Sequence, residues 1–240
     1  MYGDNRFAAL GATVFAGMIA ATSIVDVANA DTLLFDTALA NGVHFGNGNS
    51  NVGYTTNTRT DGLELGLGVS LRRLSPILPS PTNSAIYNVP IGPDQASPPN
   101  LNRSAWNFNW SVSTPVGFDL NGDHWNLHIL NVGNGQTVDF DPSAASLGNA
   151  ATTPGGFQNS ENLTFGFLAV PLGYNMNAVD TYDITLSLLD ANSTSLFAVS
   201  EQVNATPLPS SWLMLLSGFV GLGFFAYRGT KKGSAAFAAA

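Results

Sequence analysis

Trp106-Asn107-Phe108-Asn109-Trp110-Ser111-Val112-Ser113 alternates apolar with polar residues over eight positions. Successive side chains of a strand point to opposite faces, so this order gives Trp106, Phe108, Trp110 and Val112 one face and leaves Asn and Ser the other. The same rhythm precedes it. Leu63, Leu65, Leu67, Val69 and Leu71 interleave with Glu64, Gly66, Gly68 and Ser70, which leaves the second face nearly bare. Downstream, Val116, Phe118 and Leu120 lead into Asn121-Gly122, a tight-turn dipeptide, and a hairpin return is expected through Trp125, Leu127 and Ile129. Further strands are expected at Gln136–Phe140, Leu163–Val170, Tyr182–Leu189 and Ser195–Val203, with Asp190-Ala191-Asn192-Ser193 turning the chain into the last of them. No segment between Asp31 and Thr206 keeps a helical period for three turns. Eight or nine short strands with turns between them predict an all-β fold, an antiparallel β-sandwich over residues 31–205.

Two passages interrupt the alternation. Asn47 to Asn57, rich in Gly, Asn and Ser, reads as an exposed loop. Residues 75–100 carry Pro76, Pro79, Pro81, Pro90, Pro93, Pro98 and Pro99, and proline at this density denies a sheet its ladder donors. This passage is expected to be a surface loop with one short strand around Ile86-Tyr87. The stretch from Asp31 to Ser75 is too small to fold alone, so its strands should pair with later ones.

Charge narrows the range of partners. Between Asp31 and Thr206, four arginines (Arg59, Arg72, Arg73 and Arg103) stand against fourteen carboxylates, a net charge of −10 for that segment. Such a surface does not attract nucleic acid or anionic lipid at long range, because each phosphate contact needs a cation. Cysteine is absent, which excludes disulfides, thiolate metal sites and cysteine nucleophiles.

Both ends read as addresses. Arg6, an apolar run from Phe7 to Ile24, and Ala28-Asn29-Ala30 have the order of a secretory signal peptide over residues 1–30, with cleavage between Ala30 and Asp31. At the other end Pro207-Leu208-Pro209-Ser210-Ser211 precede an uncharged run from Trp212 to Tyr227, stopped by Arg228 and followed by Lys231 and Lys232. Helix breakers in front and cations behind punctuate a single transmembrane helix. About sixteen residues at roughly 1.5 Å each span only about 24 Å, so the helix must borrow its flanking residues to cross a ~30 Å hydrocarbon core.

Pro207, Pro209, Trp212, Leu213-Met214-Leu215-Leu216, Ser217-Gly218, Gly221-Leu222-Gly223 and Arg228 together resemble the PEP-CTERM sorting signal of bacterial exported proteins. The signal occupies residues 206–228. Leu208 stands where the family's name has Glu, and the basic, Ala-rich tail 229–240 runs further past Arg228 than the family's usually does. The passages Trp106–Trp110, Phe157-Gln158-Asn159-Ser160 and the hairpin from Tyr182 are similar to ectodomains of PEP-CTERM proteins of unassigned activity. The resemblance implies an exosortase-type transpeptidase as partner, transient residence in the inner membrane, then the cell surface or extracellular matrix. It also implies an association with exopolysaccharide and biofilm.

Residues that carry chemistry elsewhere have plainer roles to weigh here. Asp119, Asn121 and Asp123 have the spacing of the first ligands of a calcium loop, but Leu130 stands where a Glu is needed, and Asn121-Gly122-Asp123 serves as a turn. His124 and His128 on a strand share a face yet sit about 13 Å apart, too far to hold one zinc ion. His44 has no evident partner. Asp139 with Asp141, or Asp180 with Asp183, have the composition of a glycosidase pair, but nothing lifts them above surface turn aspartates. Trp106, Phe108 and Trp110 form either a sugar-stacking platform, as in a carbohydrate-binding module, or core. Core is the expectation, with no catalytic residue, metal or cofactor assigned.

Overall fold

The computed structural model describes residues 31–45, 51–74, 76–152, 155–207, 217–220 and 222. Its strands are β1 (Thr32–Thr37), β2 (Tyr54–Thr58), β3 (Glu64–Leu71), β4 (Pro76–Ile77), β5 (Ile86–Pro90), β6 (Pro93–Asp94) and β7 (Asn100–Ser104). They continue with β8 (Trp106–Ser113), β9 (His124–Asn131), β10 (Thr137–Phe140), β11 (Ala150–Ala151), β12 (Gly156–Glu161), β13 (Asp180–Leu189) and β14 (Ser195–Thr206). One short helix, α1 (Gly166–Leu172), lies between β12 and β13.

The stretch that decides the fold is the central strand β8. It pairs antiparallel with β3, setting Leu65 opposite Val112, Leu67 opposite Trp110 and Val69 opposite Phe108. All of these side chains are buried. One sheet runs β1-β2-β3-β8-β12-β11, with β4 beside β3; the second runs β10-β9-β13-β14-β5. Their apolar faces meet in one core, where the Trp106 ring lies 6.0 Å from that of Tyr182 in the opposite sheet. The early strands thus borrow their partners from later sequence, as their size requires.

Four expectations are corrected. Residues 54–58 are strand β2, not loop: its Tyr54, Thr55 and Thr56 are buried, because a polar strand is tolerated wherever its side chains find partners or cover. Residues 163–170 are not a strand. Leu168 and Leu172, four apart, turn inward on α1, and Gly173, at φ +58, closes it by donating to the carbonyls of Ala169 and Val170. Alternation misled here because nearly every position is apolar, so two periods fit. Residues 116–120 form no strand either; Val116 is 88 % exposed. Asn121 (φ +49) and Gly122 (φ +95) do make the tight turn, and Asp123 N–H donates to Leu120 O (2.8 Å). The turn sits inside a crossover from one sheet to the other instead of closing a hairpin. Finally, β5 pairs parallel with β14, Tyr87 opposite Val203, within sheets otherwise antiparallel. The Pro-rich passage therefore contributes a strand to the second sheet through its buried Tyr87 and Val89.

The bare face of β3 has a structural use. Residues 38–45 fold over it, with Leu39 packed where a Cβ on Gly66 would stand, Ala40 N–H donating to Glu64 Oε1 (2.9 Å), and His44 N–H donating to Gln158 Oε1 (2.9 Å). Tyr54 lies flat on Gly68, where an added Cβ would meet its Cδ1 at 2.8 Å. Gly68→Ala should therefore cost roughly 1–3 kcal/mol of stability by overpacking. Urea unfolding would measure it, and an unchanged midpoint would mean that the Tyr54 ring moves aside freely.

Candidate functional site

The aromatic stripe is core. Trp106 is 1 % exposed and Trp110 0 %, so neither ring offers a face to a sugar. Asp119 Oδ1 accepts the Asn121 N–H (3.2 Å), the bond of an Asx turn. Among the described residues no three histidine or carboxylate side chains are placed to hold a metal ion.

His124 and His128 lie on the outer side of β9, opposite to the buried Trp125, Leu127 and Ile129. Asp139 Oδ1 sits 2.9 Å from His128 Nδ1 and accepts from Asn126 Nδ2 (3.0 Å). Burial raises the Asp139 carboxyl, but these two hydrogen bonds outweigh it and hold the group below the usual range. Asp141 accepts from Ser143, Asp183 from Gln202 Nε2 (3.0 Å), and Asp180 Oδ1 from Gly133 N–H (3.2 Å) and Thr181 N–H (2.9 Å). His44 Nε2 lies 2.7 Å from Asn41 O. Neither carboxylate pair converges on a common space: each aspartate is spent on its own neighbours. A shallow surface hollow of about 440 Å³ beside Asp183, Thr185, Ser200 and Gln202 is likewise lined by side chains that bond one another.

The unusual chemistry lies inside. Glu201 points inward from β14, in line with Phe197, Val199, Val203 and Ala205, and is 3 % exposed. Neither carboxyl oxygen has a hydrogen-bond partner. Burial pushes this carboxyl well above its ordinary range, and it raises the nearby Tyr87 and Tyr54 hydroxyls too, with the Glu201 charge adding to the effect. Tyr87 Oη donates to Gly53 O (2.8 Å) and lies 3.1 Å from Thr55 Oγ1. Glu161, inward on β12, is pushed up to about 7 by burial, its Oε1 accepting from Asn159 Nδ2 (3.0 Å). The signal for Glu201 was in the sequence: it interrupts a run of inward positions two residues apart. Glu161 gave less warning, because the expected strands did not include 156–161.

A third cluster closes the end of the domain where β14 leaves it. Asp94, 2 % exposed, accepts from Arg72 Nη1 (2.6 Å) and from Arg73 Nη2 through one oxygen, and from Ala96 N–H (2.9 Å) through the other. Burial raises this carboxyl, but the arginines and the amide together hold it below the usual carboxylate range. Next to it, Ile91 N–H donates to Thr206 O (3.0 Å), and Pro207 follows, exposed.

Of the targeting residues, Asp31 is exposed ahead of β1, and Ser217 and Gly218 are helical and exposed. Ala28, Ala30, Leu208, Pro209, Trp212, Gly221 and Arg228 lie outside the described residues, as do the whole expected signal peptide and most of the expected transmembrane run. Among the described residues no helix is long and apolar enough to cross a membrane.

The described residues define an all-β protein built of mostly antiparallel sheets, with Asp139, Asp141, Asp180 and Asp183 bonded to neighbours and the unpartnered carboxyl of Glu201 in its core. Comparison of the chain with protein-family models, with curated proteins and with solved structures finds no match to any of them.

Proposed function

We propose that this chain is an exported bacterial envelope or extracellular-matrix protein. In this reading it has a non-enzymatic β-sandwich ectodomain, a signal peptide over 1–30, and a PEP-CTERM-like sorting signal over 206–228. The observation that supports the reading is the order of the sequence at its two ends, Ala28-Asn29-Ala30 ahead of Asp31 and Pro207-Leu208-Pro209 ahead of the uncharged run from Trp212 to Tyr227, on either side of a β-strand domain. β1 starts at Thr32, one residue after the Asp31 that the Ala28-Asn29-Ala30 pattern makes the first of the mature chain. β14 ends at Thr206, against Pro207 of the sorting segment. Pro207, exposed, has no N–H to donate and cannot continue the ladder. The partners are then an exosortase-type transpeptidase at the membrane and, after release, exopolysaccharide.

The intact mass of the protein recovered from its native envelope and medium tests this. A species beginning at Asp31 and ending near Thr206–Pro209, with or without added glycan or lipid, is expected. A species that still carries Trp212–Ala240 would make the tail a permanent anchor and end the sorting proposal.

A further inference from the structure

Beside the Asp94 cluster the domain holds a cavity of about 280 Å³ walled by Leu71, Leu74, Pro90, Ile91, Pro93 and Ala105, with Arg72, Asp94, Gln95 and Ala96 at its polar side. Its lining is mostly apolar. Its walls are fixed by main-chain bonds, Arg72 N–H to Ala105 O (2.8 Å) and Ala105 N–H to Gly92 O (3.0 Å), and by Arg73, which also donates to Pro98 O (2.7 Å). A cavity held open by its own backbone binds with a smaller cost of ordering.

Charge selects the occupant. Two guanidinium groups share the single carboxylate of Asp94, leaving one positive charge in excess in a segment whose net charge is −10. Arg73 is spent on Asp94 and on two loop carbonyls. Among the described residues, the Arg72 guanidinium makes one hydrogen bond, to Asp94, so its other N–H donors remain for a ligand. At about 280 Å³ the cavity has room for a short hydrocarbon chain.

We propose that this cavity is a binding site for a small amphiphile with an anionic head, a medium-chain carboxylate whose hydrocarbon tail lies along Leu71, Ile91 and Ala105 and whose carboxylate meets Arg72. The guanidinium fork matches a carboxylate in a way an alcohol or an amine does not.

Methyl NMR of the full chain, titrated with octanoate, tests the site, because it reads Leu71, Leu74 and Ile91 directly and separates binding here from detergent-like binding elsewhere. Saturable shifts confined to these methyls are expected, at least tenfold weaker with octanol and absent with octylammonium. Ala96→Leu, which fills the cavity, should abolish them, and Arg72→Gln should weaken octanoate about tenfold while leaving octanol unchanged. No saturable shift with octanoate, an equal response in Ala96→Leu, or octylammonium binding as tightly as octanoate would each overturn the proposal.

Discussion

Replacing Glu201 with leucine is expected to stabilise the domain, by roughly 1–3 kcal/mol at pH 8, although Glu201 is among its most buried residues. Removing a buried side chain usually costs stability. Here both carboxyl oxygens lack partners, so the wild-type side chain carries a desolvation cost that no hydrogen bond offsets. Leucine instead joins Val199 and Val203 along the same inner face.

The effect has a pH signature. In the unfolded chain the carboxyl ionises near ~4.3, whereas burial raises it well above that value in the folded domain. Above ~4.3 the native state therefore binds more protons than the unfolded one, and stability falls as pH rises until the folded value is passed. Glu161, at about 7, adds a loss of the same sign that is complete above that value. Asp94 acts oppositely: its lowered carboxyl contributes stability in neutral solution that disappears as pH falls through the acid range. The domain should be most stable in mildly acidic solution, and Glu201→Leu should flatten the alkaline side of that profile. Urea unfolding at pH 5 and pH 8 would measure both. A variant less stable than wild type at pH 8 would mean that Glu201 has a partner worth more than its burial costs.

The opposite effect is expected at Asn162, which is wholly buried. Its Oδ1 accepts from Ser104 N–H (3.1 Å), Thr164 N–H (3.2 Å) and Thr164 Oγ1 (2.6 Å). Its Nδ2 serves Ser104 O (3.1 Å), Trp106 O (2.9 Å) and Asn107 Oδ1 (2.7 Å). One side chain thus ties the entry to β8 to the turn that starts α1. Asn162→Ala strands at least two buried backbone groups at roughly 1–3 kcal/mol each, a loss of about 3–5 kcal/mol in all. That is a large share of the ~5–15 kcal/mol by which a domain of this kind is stable. The same urea titration reads it, and a loss under about 1 kcal/mol would show that water replaces the amide without penalty.

The candidate site was legible in proportion to how local its cause is. Trp106, Phe108 and Trp110 announced themselves as core because alternation is a property of consecutive residues. His124 and His128 were separable from a zinc pair by strand spacing alone, and they do lie on the outer side of β9. The Arg72–Asp94–Arg73 cluster was not legible: its members lie about twenty residues apart across a proline-rich passage, and no spacing rule joins them. The cavity beside it was hidden for the same reason.

By itself the sequence determined that this is an all-β chain and which positions face inward on β3, β8, β9 and β13. Strand period, turn residues and proline act within a few residues, and those features depend on nothing further. Tertiary structure alone decided that the Asn121-Gly122 turn joins two sheets, that β5 runs parallel to β14, that residues 38–45 cover the glycine face of β3, and that Glu201 meets no partner. Each of these depends on which distant strand lies alongside. Periodicity tells a side chain which face it is on and carries no information about what will face it.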